Sequence, residues 1–376
     1  MFPLVTPTPL ICPAPSSNAN TSWSLASSVG LSSTTETVMG STLAGEGSAT
    51  PLTPNKSPLR FGRAVSGLRA RPRIGDPLFK WATGFFAVLI AGLAVLIMVE
   101  MAINSKLPIA KFGFGFLTRS VWDPVAEQFG ALPFVYGTAV SAVIALLISV
   151  PISLGVAIFL VEKAPRGLSN PIMFIVQLLA AIPSVVFGLW AIFVLAPMLR
   201  NHVYPALQSS LGFLPLFRGN QNGLGLLTAG LILSIMVLPI ITAVTTDVLR
   251  AVPGTQREAA LALGSTKWEA TLIVLQNARS GISGAIILGL GRAIGETMAV
   301  TMVIGNRPQI SASLFDPSFT IASAIANEFT EASGEIYLQS LIELGLILFF
   351  VTFIINMLAR LLVWSLTRGE GRGAHV

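Results

Sequence analysis

Hydrophobic residues gather into six long runs separated by polar connectors, and all six lie beyond residue 72. The runs cover residues 78–103, 133–161, 171–199, 223–244, 281–305 and 337–366. Each reaches or exceeds the roughly 20 residues an α-helix needs to cross about 30 Å of hydrocarbon. Backbone polar groups in lipid must be satisfied within their own segment, so the runs predict helices. Pro151, Pro183 and Pro239 fall inside runs and predict kinks. The fold class expected is all-α, a polytopic membrane protein with six core transmembrane helices.

Residues 1–72 have a different pattern. TPTPL, PAPSSNANTS, SSVGLSSTTET and SATPLTPNKSP are rich in Ser, Thr and Pro and offer little apolar surface to bury. They lack the basic and apolar regions of a signal peptide. The reading is a disordered tail over 1–72, with a basic end, followed by a transmembrane domain over 73–376.

Composition agrees. Of 376 residues, 53% are hydrophobic and 11% charged, against about 25% charged in a soluble globular chain. The net charge of +6 does not point to nucleic acid, because the basic residues lie between and beside the apolar runs. Their distribution also orients the chain. The tail carries Arg60, Arg63, Arg69, Arg71, Arg73 and Lys80. With that end inside, the inner connectors hold Lys163, Arg166, Arg250, Arg257, Lys267, Arg368 and Arg372. The outer ones hold Lys106, Lys111, Arg119, Arg200, Arg218 and Arg307. The excess places both termini in the cytoplasm. Cys12 is the only cysteine, so neither an intrachain disulfide nor a cysteine cluster is available. His202, placed in a loop, and His375, near the C-terminus, argue against a metal centre or a histidine-dependent hydrolase.

Two charges interrupt the fifth run, Arg292 and Glu296. Their spacing predicts one helix face, one turn apart. Each would cost about 2.5–3.5 kcal/mol at a bilayer centre on insertion scales. Such charges are tolerated when paired, when facing a protected cavity, or when handling something polar. A structural ion pair tying helices together is the plainer reading. Gly291 and Gly295 form a GxxxG that suits close helix packing rather than a dinucleotide loop. In the last run, Glu343 reads as snorkelling to the interface or making a local hydrogen bond, with a place in a pathway as the alternative. Gln177 and Asn356 read as interhelical hydrogen-bonding residues.

The connector at 247–277 carries its own signals. Pro253 and Gly254 break the preceding helix, and Thr255 with Glu258 three residues on predicts a capping box. REAALALG then predicts a short helix ended by Gly264, with a second helical piece from Thr266. A short helix under a membrane can dock into a groove on a soluble partner.

Glu258, Ala259 and Ala260, three residues and then Gly264 resemble the EAA loop of bacterial ABC-importer permeases. The later part departs from the pattern: Ile273-Val274-Leu275 follows after eight residues, and Gln276 stands where proline is usual. GLGRAIGETMAVTMVIGN (289–306), LAAIPSVVFGLW (179–190), ISASLFDP (310–317), IASAIANEFTEA (321–332) and LIELGLILFFVTFIIN (341–356) resemble the PstC family of phosphate-specific permeases. The resemblance covers about residues 75–366. It implies the type I ABC importer permease fold and a non-catalytic subunit in the bacterial inner membrane. The chain contains no GxxxxGK[ST] motif, and the resemblance places ATP and Mg on a partner ATPase, with no cofactor or metal on this chain. The partners implied are a second permease of PstA type, an ATPase dimer and a periplasmic phosphate-binding protein. Glu258, Ala259, Ala260 and Gly264 are the implied ATPase contact, and Arg292 and Glu296 the implied substrate pathway. A guanidinium fork suits phosphate oxygens. Glu296 can orient Arg292, lower its charge, or accept a proton, and the sequence leaves these open. The alternatives are a permease for sulfate or molybdate, or a self-contained secondary transporter, which would show inverted repeats.

Overall fold

The computed structural model describes residues 75–368. The expected tail lies outside them, together with Arg60, Arg63, Arg69, Arg71, Arg73, Cys12, Arg372 and His375. Among the described residues the regular structure is helical, apart from an isolated bridge between Asp123 and Gln128. Six helices among the described residues are long and apolar enough to cross a membrane: Phe79–Ile103, Leu132–Lys163, Ser184–Leu211, Leu226–Ala251, Lys267–Ile294 and Glu335–Leu361. They are spans one to six below, and they bear out the all-α expectation.

The third span departs from the hydrophobic pattern. Residues Arg166–Ala180 form a separate helix, and the chain breaks before Pro183, which is extended at ψ 140°. Proline lacks an N–H and pushes its predecessor out of helical geometry, so it starts a new helix rather than kinking an old one. Span three therefore begins at Ser184 and reaches Leu211. It takes in Arg200 and His202, which had been expected in a loop. Two stretches, Ala191–Leu195 and Leu199–Val203, are wound as wider π turns. Each ends two residues before a proline, Pro197 or Pro205, where the wider turn accommodates the missing donor. Gln177, in the separate helix, is exposed rather than between helices.

Span four is the hub. Ile232, Leu233, Val237 and Ile241 are buried along it, and spans two and five pack against it. Gly230 receives Ile144 of span two, and Ser153 donates to the Leu238 carbonyl at 3.0 Å. Span one lies at the edge, with Phe79, Phe85, Ile90 and Leu93 outward. Outward apolar faces of this kind suit lipid.

The connectors form two faces. One, the loop face, holds residues 104–131, 212–225 and 304–334; the other, the short-helix face, holds 164–183 and 252–266. On the loop face Phe116, Phe129, Phe134 and Phe319 are buried around Trp122. Trp122 Nε1 and Tyr337 Oη both donate to Glu328 Oε2, each at 2.8 Å. These two bonds join the connector after span one, the short helix Ile321–Glu328 and the start of span six. Burial pushes the Glu328 carboxyl above the ordinary carboxylate range, opposed by the bonds from Tyr337 and Trp122.

Candidate functional site

Span five begins with a capping box, but not at the expected threonine. Thr266 Oγ1 accepts from Glu269 N at 3.3 Å, and Glu269 Oε2 accepts from Thr266 N at 2.7 Å. Thr255 makes no such bond, because the short helix Gly254–Ala262 starts directly after Pro253 and places Thr255 inside its first turn. That helix ends as expected at Gly264, whose φ is +86°. Gly264 N bonds to Leu261 O at 3.0 Å and Ser265 N to Ala260 O at 3.2 Å. This is a Schellman closure, which favours glycine. Glu258 and Ala259 are exposed and Ala260 is buried, so the helix rests on Ala260 and presents Glu258 outward. With Gln276 in place of proline, span five continues unbroken from Lys267 to Ile294.

The helix expected over 281–305 does not extend that far. Gly295 caps span five, its N–H bonding to Gly291 O at 3.2 Å. A separate short helix, Met298–Val303, follows. Arg292 therefore sits in the last turn of span five, while Glu296 lies in the break. The break is held locally: Glu296 Oε1 accepts from Ala299 N at 3.4 Å, and Thr297 Oγ1 donates to Gly295 O at 3.3 Å. A cation in the last turn of a helix is favourably placed against the helix dipole.

The two side chains still meet, with Arg292 Nη2 3.5 Å from Glu296 Oε2. The pair is asymmetric: the Arg292 side chain is 46% exposed and that of Glu296 5%. A guanidinium carries five donors, so most of the Arg292 fork remains available on its exposed side while the carboxylate is embedded. Beside it, Gly291 joins Ile287, Leu288, Phe349, Phe353 and Asn356 around a groove of about 690 Å³ between spans five and six. Asn356 thus lines a groove instead of bonding across helices.

Other sequence readings are corrected. A Cβ at Gly291 would meet nothing within 4 Å, so the GxxxG is not a packing seam within this chain. The close approach is at Gly289, where a Cβ would lie 2.7–2.8 Å from Ile241 and Val237 of span four. Glu343 neither snorkels nor makes a local hydrogen bond: it is 7% exposed and its Oε2 has no partner. Two contacts on the short-helix face have no sequence signal. Arg257 of the short helix pairs with Glu162 at the end of span two, and Asn277 Nδ2 donates to Gln256 Oε1 at 2.7 Å.

Six helices of membrane-crossing length and apolarity, with a short connector helix ahead of span five, define a multi-pass membrane component. The family of "Binding-protein-dependent transport system inner membrane component" matches residues 149–368. Over 301 residues the chain is 47% identical to phosphate transport system permease protein PstC of Mesorhizobium japonicum, covering 79% of this chain and 92% of that protein. It is 46% identical to PstC of Haemophilus influenzae over 302 residues, covering 79% and 96%. A solved structure of the MetNI methionine ABC transporter in an inward-facing conformation has a TM-score of 0.45 at 16% identity, covering 64% of this chain and 98% of that one. The chain belongs to the binding-protein-dependent inner membrane components and, among them, to the PstC permease family.

Proposed function

We propose that this chain is one permease subunit of an ATP-driven importer that carries inorganic phosphate into the cell. The observation that carries the reading is the 47% identity to a phosphate transport system permease across 92% of that protein. The chemistry of the site supports it. Phosphate at neutral pH is an anion that must shed water to cross, and Arg292 presents a half-exposed guanidinium at a helix break inside the apolar region. Glu296, embedded and held by Ala299 N, is placed to orient that guanidinium, which favours the orienting role among the three the sequence leaves open.

In this reading both termini are cytoplasmic and the loop face is outside. A periplasmic phosphate-binding protein delivers its ligand to the loop face. A second permease of PstA type completes the pathway beside Arg292. An ATPase dimer, which carries ATP and Mg, receives the helix Gly254–Ala262, with Glu258 and Ala259 at its surface and Ala260 and Gly264 fixing its pose. Closure of the ATPases moves that helix. Span five, which begins four residues after the helix ends, carries the movement to Arg292, which alternately contacts and releases the anion.

Uptake of labelled phosphate by vesicles containing the assembled complex tests this. Uptake should need ATP and the binding protein, and excess sulfate or molybdate should not compete. Uptake that persists without the ATPase, or that sulfate suppresses as well as phosphate does, would overturn the assignment.

A further inference from the structure

The short helix Gly254–Ala262 is joined through the chain to spans four and five, and it packs against the start of span five. Its contact with span two is of another kind. Arg257 and Glu162 lie 95 residues apart in sequence and form an ion pair. The Glu162 side chain is 9% exposed and that of Arg257 36%. Arg257 Nε is buried without a hydrogen-bond partner, so the partly exposed guanidinium is held on its inner side by this carboxylate. Lys163, Lys267, Leu261 and Thr271 complete the walls of a cavity of about 350 Å³ around the pair.

Where Glu162 sits matters as much as what it binds. Residues Phe159–Lys163 close span two as a π turn, not an α turn. π turns are less regular and often mark functional positions. Gln256, the neighbour of Arg257, meanwhile accepts from Asn277 of span five at 2.7 Å. Two adjacent residues of one helix therefore grip two different spans. The chain itself cannot link the helix to span two, since about ninety residues intervene. A push on the helix could otherwise be taken up by rotation at Val252-Pro253 and at Gly264.

We propose that the Glu162–Arg257 ion pair is a strut that carries movement of the coupling helix into span two, which makes both residues positioning residues for transport. The proposal rests on the importer reading above. An ion pair with one partner buried resists separation, because parting it leaves the Glu162 carboxylate buried without a partner. Span two, packed along span four, then moves with span five and not after it.

The test uses the complete reconstituted importer with Glu162→Gln, measuring phosphate uptake and ATP hydrolysis on the same vesicles. Phosphate moved per ATP should fall roughly fivefold, the upper end for loss of an ion pair with one partly exposed partner. ATP hydrolysis should continue. The exchange variant, Glu162→Arg with Arg257→Glu, should regain most of the ratio, which a merely structural role for either side chain would not predict. A wild-type ratio in Glu162→Gln overturns the strut, and so does an exchange variant that assembles without recovering coupling. If Glu162→Gln does not assemble, Glu162→Asp keeps the charge on a shorter arm and is read the same way: a lowered ratio supports the strut and an unchanged one overturns it. Wild-type vesicles that hydrolyse ATP yet take up no phosphate would instead remove the importer reading.

Discussion

Gly289→Ala tests how closely spans four and five are packed. The added Cβ would lie 2.7 Å from Ile241 Cδ1 and 2.8 Å from both Ile241 Cγ1 and Val237 Cγ1. Carbon atoms rest comfortably about 3.5–4.0 Å apart, so the helices would have to separate by roughly 1 Å. Ile241 and Val237 are 1% and 0% exposed, so neither has solvent to move into. Overpacking of this kind costs about 1–3 kcal/mol. Against it, alanine is the better helix former by about 1 kcal/mol. Gly155→Ala supplies the control, since a Cβ there meets nothing within 4 Å. The two variants share the propensity gain, so their difference isolates the packing cost. Thermal unfolding in detergent should place Gly289→Ala several degrees below Gly155→Ala, since about 1 kcal/mol moves a domain of 150–250 residues by roughly 2–4 °C. A Gly289→Ala variant as stable as Gly155→Ala would refute the packing described for spans four and five.

Two further outcomes follow from other parts of the fold. Thr266→Ala should lower stability by about 1 kcal/mol through loss of the capping box, while Thr255→Ala should leave it nearly unchanged; thermal unfolding of the pair separates them. Because burial raises the Glu328 carboxyl, the folded state holds its proton to higher pH than the unfolded state. Its contribution to stability is thus full below the ordinary carboxylate range and declines as pH rises through the raised value. Glu328→Gln keeps an acceptor for Trp122 and Tyr337 and should flatten that decline, read as melting temperature against pH; an unchanged slope would show that another group sets it.

What the sequence made legible was whatever depends on the length of an apolar run or on a short local motif. The six spans could be counted because crossing a membrane imposes a length, and the stop at Gly264 because a positive φ favours glycine. Hydropathy could not locate span three, since residues 167–180 are as compatible with lipid as the residues beyond Pro183 that make the span. Nor could it choose between two threonines that each precede a glutamate by three positions. Pro253 decided that case by starting the helix one residue before Thr255. The continuous apolar run over 281–305 concealed the break at Gly295, so the sequence put Arg292 and Glu296 on one helix that in fact ends between them. Their pairing survives because Glu296, turned back by the break, still comes within 3.5 Å of the guanidinium. The Glu162–Arg257 contact joins distant segments through side chains alone, and no spacing rule reaches it.

The central claim is that Arg292 contacts the anion in transit. The most direct measurement is labelled phosphate uptake by the assembled complex carrying Arg292→Gln, beside Arg292→Gln with Glu296→Gln. The account predicts no uptake above background in either variant while both still bind their ATPase. Normal uptake in Arg292→Gln, or uptake restored when both charges are removed together, would contradict it and leave the pair as a tie between segments.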